Sequence, residues 1–289
     1  MKIAYLLLVH EFPQNVKYLI EQILIDQESI VYVHVDRSVA ISDYFYLNDR
    51  VHYLKKRNRV TWGGYSVVKA TLSLIKEAQK SRPDYYCLLS GRDFFIKSPL
   101  EWNNQLMKMF PKTYLDGGTI VKRWTERGLD RVQYHFFYWF KNRTIALYQN
   151  RLVRKIGKKL HITRKMPLNM VPYCGSQWWT ISNRHMRYII NFLARHPEFI
   201  RFYKTVGIPD EQFFHTILLN SELKDEIINQ SQTYLIMNRG IVRLFNMEDY
   251  NELINQRFFF ARKIKEDHLE LQKNIAASWD TDFKRKDKQ

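Results

Sequence analysis

Cysteine is almost absent: there are two in 289 residues, Cys87 and Cys174, far apart and outside any C-x-x-C spacing. That excludes a disulfide framework or a cysteine-built zinc site as the organising element. Long hydrophobic runs are missing as well, since no stretch approaches the roughly 18 apolar residues of a spanning helix. The opening MKIAYLLLVHEF starts like a signal peptide but reaches His10 and Glu11 without a small-residue cleavage site. A buried first strand and a cytoplasmic chain are expected. Acid is scarce relative to base, with 29 Asp and Glu against 46 Lys and Arg, a formal net charge of +17. The partner is therefore anionic: nucleic acid, an anionic membrane surface or a phosphorylated substrate.

Several motifs are missing too. Histidines do not cluster at ligand spacing, and there is no nucleophile elbow, no G-x-G-x-x-G and no Walker A sequence. The one D-x-D, Asp280-Thr281-Asp282, falls in the polar tail and not at a strand end. Hydrolase and metal-site readings are set aside, and no cofactor is expected.

What is present is 45% hydrophobic and 15% aromatic residues, enough to fill a core and to stack on sugars or bases. KIAYLLLVH and SIVYVHVD are continuous apolar runs of strand length, the pattern of strands buried on both faces. Between them Val16, Leu19, Ile20, Ile23 and Leu24 recur at helical spacing, which makes a β-α-β unit. RVHYLKK, the stripe of Val68, Leu72 and Ile75, and DYYCLLSGRD continue the alternation. The spacing predicts an α/β fold whose mostly parallel sheet binds ligands at the carboxyl ends of its strands. Those ends carry His10, Asp36-Arg37 and Ser90-Gly91-Arg92-Asp93. No linker or boundary appears. The chain reads as one domain over 1–289, with a nucleotide-binding half at 1–100, an acceptor or catalytic half at 101–265 and a polar tail at 266–289, whose end SWDTDFKRKDKQ is expected to fray.

Each candidate residue has a plain structural alternative. Asp36 suits acceptance of hydrogen bonds from a ribose, or is a solvated strand-end acid. Trp62 and Gly63 of WGGYS open a helix and suit a phosphate, or form a tight turn. The Ser90-Gly91 corner lets a ligand approach the backbone, with Asp93 in reach. In VGIPDEQFFHTILLNS, Asp210 and Glu211 follow Pro209 at a helix start, where acids complement the helix dipole and where a rigidly held carboxylate also makes a general base. In 151–165, Leu152, Ile156 and Leu160 form an apolar line among lysines and arginines, which either packs on the core or rests on anionic lipid.

VTWGGYSVVKA, YYCLLSGRDFFIKS, CGSQWWTISNRHMRYII, IPDEQFFHTILLNS and FFFARKI occur in that order. Together, from His10 to about Ile264, they resemble the core-2/I-branching β-1,6-N-acetylglucosaminyltransferase family, which includes xylosyltransferases. The resemblance implies a GT-A fold, inversion at the anomeric carbon, a UDP-sugar donor and no metal. It implies Glu211 as the base, and Glu126, Arg127 and Arg131 of ERGLDR with Gln177 and Trp178 on the acceptor side. It places His10, Asp36, Arg37, Trp62, Gly63, Ser90, Gly91 and Asp93 with the nucleotide, and Lys263 with Arg239 or Arg243 on the diphosphate. Golgi members carry an anchor and several disulfides. Their lack here implies a bacterial member in the cytoplasm, or at the inner face of the membrane, acting on a surface glycan or lipid-linked oligosaccharide. Transfer of xylose, or nucleic-acid binding by a non-catalytic basic protein, are the competing readings; the resemblance implies no nucleic-acid partner.

Overall fold

The computed structural model describes residues 1–138, 143–238, 241–266 and 268–286; side chains at 126, 127, 143 and 280–286 lie outside that description. Asp280 and Asp282 of the D-x-D, the side chains of Glu126 and Arg127, and Arg239 are therefore not described.

The first half alternates as its periodicity predicts. β1 (Ile3–Val9), α1 (Pro13–Ile23), β2 (Ile30–Val35), β3 (Val51–Tyr53), α2 (Ser66–Ala78) and β4 (Tyr85–Ser90) follow one another, and β5 (Phe94–Phe95) lies just beyond. α3 (Pro99–Met109) starts where Pro99 fills the first position and the Ser98 hydroxyl accepts hydrogen bonds from the Leu100 and Glu101 N–H groups. β6 (Thr113–Tyr114), β7 (Gly117–Thr119), α4 (Ile120–Trp124), α5 (Asp130–Gln133) and α6 (Arg143–Lys159) lead to β8 (Tyr173–Gly175) and β9 (Thr180–Ser182). α7 (Asn183–Arg195), α8 (Pro197–Tyr203), α9 (Phe213–Leu219), β10 (Ile227–Ile228), α10 (Tyr250–Ile254) and α11 (Leu269–Lys286) complete the principal elements.

The seven-stranded sheet runs β10-β6-β9-β4-β1-β2-β3. β1 pairs in parallel with β2 and β4, and β9 runs antiparallel to both β4 and β6. Side chains alternate across it as a pleated strand requires. Ala4, Leu6, Tyr86 and Leu88 point into one buried cluster with residues of α2, α7 and α9, while Ile3, Tyr5, Leu7, Cys87 and Leu89 point into the other with those of α1 and α3. Helices on both faces explain why these strands read as continuous apolar runs.

Two elements differ from the sequence expectation. The segment from Asp210 is a 3-10 turn, Pro209–Glu211, followed after Gln212 by α9, rather than one helix. The polar tail contains α11, which had no counterpart in the periodicity, with Leu271 and Ile275 fully buried beside Phe94, Phe245 and Leu253. Its i, i+4 apolar pair was hidden by the charges around it. No helix among the described residues is long and apolar enough to cross a membrane.

Candidate active site

Because β9 is antiparallel, the residues before it reach the same sheet edge as the carboxyl ends of β1 and β4; the Leu88 N–H donates to the Trp179 carbonyl at 3.0 Å. A cation-rich corner forms there. Asp93 is buried, accepts from the Ser90 N–H (2.6 Å) and the Ser90 hydroxyl (2.5 Å), and pairs at 3.5 Å with the buried Arg262. The Arg262 guanidinium lies 4.1 Å from the centre of the Trp178 ring. Arg92 forms an ion pair with Glu11 at 2.8 Å, and the exposed His10 lies 3.7 Å from the same carboxylate. Lys263 is half-buried beside them, its pKa lowered first by burial and then by Arg262 and Arg92. Three cations face two carboxylates, which leaves one net positive charge.

At Gly91 the side-chain direction is filled by the protein itself. A Cβ there would meet Val16 at 2.7 Å and the Glu11 carbonyl at 3.2 Å, so the missing side chain lets the β1 tip pack close and brings Glu11 to Arg92. Asp36 is buried, not solvated, and accepts from the Ser38 N–H and hydroxyl and the Val60 N–H at 2.6 to 2.7 Å. Burial raises its pKa, but those hydrogen bonds win and lower it overall. Arg37 beside it is exposed.

A second group gathers around the Pro209–Glu211 turn. The Ile208 N–H donates to the Gly63 carbonyl at 2.9 Å, which seats the turn on the WGG loop. Gly63 has a φ of +72° and a Cβ there would come 2.9 Å from the Tyr138 hydroxyl, so this glycine serves the turn and the close approach of Tyr138. Trp62, Trp124, Arg131, Tyr138, Leu147 and Ile208 line part of a cavity of about 300 Å³. Arg131 sits 3.9 Å over the Trp124 ring. Glu211 is half-buried; burial raises its pKa, and the charges of Arg131 and Arg123 oppose that rise. Arg123 is in turn gripped by Asp116 through two hydrogen bonds of 3.0 and 2.8 Å.

The segment Ser176–Trp178 joins the groups: the Ser176 N–H donates to the Asp116 carbonyl at 3.0 Å, and Trp178 lies under Arg262. Gln177 is between them and half-buried. Trp62 and Gly63 thus fall on the Glu211 side rather than with His10, Asp93 and Lys263. Arg243 is engaged by carboxylates outside both groups, Asp249 and, at 3.4 Å, Glu252. Sequence reasoning passed over Arg262, Glu11, Asp116, Arg123 and Tyr138, and named Arg92 only as a strand-end residue. Only the RK pair of FARKI and the RD of SGRD signalled any of them, because their partners come from remote segments.

The strand ends of this α/β sheet carry fixed cations beside carboxylates, and an aromatic-walled cavity lies beside the Pro209–Glu211 turn, the places where such folds hold ligands. The chain belongs to the Core-2/I-Branching enzyme family, whose profile matches residues 3–240. It is 24% identical over 263 residues to xylosyltransferase 2 of Rattus norvegicus, covering 83% of this chain and 27% of that protein. It is 25% identical over 211 residues to xylosyltransferase sqv-6 of Caenorhabditis elegans, covering 68% and 24%. The chain thus spans about a quarter of the length of these relatives. A solved mannose-1-phosphate geranyltransferase from Thermus thermophilus matches 78% of this chain and 67% of its own at 11% identity and a TM-score of 0.33, too loose a likeness to argue from.

Proposed function

We propose that the chain is an inverting GT-A glycosyltransferase that moves a sugar from a UDP donor to a hydroxyl of a surface glycan or lipid-linked oligosaccharide, on the cytoplasmic side and without a metal. The observation that carries this reading is Glu211, half-buried and within the field of Arg131 and Arg123, on a turn whose Ile208 and whose neighbour Arg131 line the aromatic-walled cavity, in a chain of this family. The acceptor oxygen forms a bond to the anomeric carbon as the bond from that carbon to phosphate breaks. The electron pair leaves on UDP, and the acceptor proton passes to Glu211. Lys263, with Arg262 and Arg92 around it, meets the charge that develops on the diphosphate. Aromatic faces such as Trp62 and Trp124 suit the apolar faces of sugar rings. N-acetylglucosamine is the expected donor sugar; the names of the two relatives bring xylose forward as the second.

Thermal melting in the presence of UDP, UDP-N-acetylglucosamine and UDP-xylose, each with and without EDTA, tests it. A ligand near a hundredfold its Kd adds about 2.7 kcal/mol, a rise in Tm of roughly 5 °C or more. At least one UDP-sugar should give such a rise, unchanged by EDTA. No shift with any of them would contradict the proposal, and a shift lost in EDTA and restored by Mn²⁺ would contradict its metal-free form.

A further inference from the structure

Helix α6 is built inside out. Its small and polar residues face the protein: Ala146 and Asn150 are buried, and Asn150 bonds both the N–H (2.7 Å) and the carbonyl (2.9 Å) of Phe137. A Cβ on Gly157 would come 2.8 Å from the Tyr134 ring, so this side is packed tight. The large apolar residues point the other way. Tyr148, Leu152, Ile156 and Leu160, the last just past the helix end, are 67%, 59%, 50% and 59% exposed, and Ile162 beyond them is exposed too. Four residues apart, they make a stripe about 120° wide. Of the two readings of Leu152, Ile156 and Leu160, packing on the core is thereby set aside, because the side of the helix that meets the protein is taken by Ala146, Asn150 and Gly157.

The charge around the stripe is one-signed. Arg154 and Lys158 pair with Asp130 at 3.5 and 2.8 Å, whereas Arg151, Lys155 and Lys159, which run alongside the stripe, make no ion pair among the described residues. A second copy of the helix would set these cations against its own. An anionic bilayer satisfies both features, taking apolar side chains into its interface and pairing the lysines with headgroups. The opposite flank of the helix, through Leu147, Asn150 and Arg154, walls the cavity beside Arg131.

We infer that α6 docks the protein on an anionic lipid bilayer. Resting on the glycosyltransferase reading, this places the cavity about one helix diameter, 10–12 Å, from the lipid surface, within reach of a lipid-linked acceptor.

Sedimentation of the full chain with vesicles of phosphatidylcholine alone, and of equal parts phosphatidylcholine and phosphatidylglycerol, tests the inference. The chain should pellet with the mixed vesicles at low salt, far less with the neutral ones, and progressively less as salt rises. The pair Leu152→Ser and Ile156→Ser should weaken partition about tenfold or more. The pair Lys155→Ala and Lys159→Ala should weaken it roughly fivefold per lysine, on anionic vesicles only. All four side chains are exposed, so the melting temperature should stay at the wild-type value. Equal recovery with both vesicles, no recovery, or variants that pellet like wild type would overturn the inference. So would a wild-type dimer that the serine pair turns into a monomer. Failed docking beside an intact UDP-sugar shift refutes the membrane face alone, while a missing shift beside intact docking refutes the enzymatic reading alone.

Discussion

Two carboxylates on neighbouring residues of one tight turn do not ionise independently. Burial, and then the charge of Glu211, push the Asp210 carboxyl up to about 7, with Arg131 pulling the other way. Its Oδ1 is buried without a hydrogen-bond partner, and neither the 3-10 turn nor α9 has a side-chain cap. The capping role expected of Asp210 is therefore replaced by that of a buried acid held close to neutral pH. The sign for stability follows. Between about pH 4, where the unfolded carboxyl titrates, and about 7, the folded chain keeps a proton that the unfolded chain has released, so stability falls as pH rises through that window. Asp210→Asn should remove this slope, matching wild type near about pH 4 and exceeding it above about pH 7 in denaturant unfolding. Parallel pH dependences for the two proteins would show that Asp210 does not titrate there.

At the scale of elements, the short pair β7 and β8 aims the site. Gly117 faces Gly175 across it so closely that a Cβ on Gly175 would sit 1.9 Å from the Asp116 carbonyl. Nothing larger than glycine lets Asp116 hold Arg123 beside Glu211. Gly175→Ala should therefore cost about 1–3 kcal/mol in denaturant unfolding and lower turnover as well; wild-type values for both would mean that the pair yields freely. Its glycine was visible in CGSQWW, but the need for it was not, since the opposing strand lies more than fifty residues away. The parallel core was legible, because strands buried on both faces show as unbroken apolar runs and α1 and α2 carry clean stripes. α11 was not, because two buried residues, Leu271 and Ile275, sit among lysines and acids.

Over the whole molecule, the site draws on the chain from His10 to Lys263, and Ser176–Trp178 joins its two groups. Spacing found the single-segment pieces, such as Ser90 with Asp93 and Asp210 with Glu211. Pairs such as Glu11 with Arg92, Arg262 with Trp178 and Gly63 with Tyr138 depend on chain crossings that no local pattern encodes. The same holds for α6, whose stripe was plain but whose outward orientation depends on Asn150 and Gly157 packing inward. The central claim is that one carboxylate takes the acceptor's proton. It is tested most directly by measuring, for Glu211→Gln, both sugar transfer from the UDP-sugar that stabilises the wild type and UDP affinity. A near-isosteric amide cannot accept that proton, so transfer should fall about 10²- to 10⁴-fold while UDP affinity stays within a few-fold of wild type. Retention of more than about a tenth of wild-type transfer would contradict the assignment of Glu211 as the base.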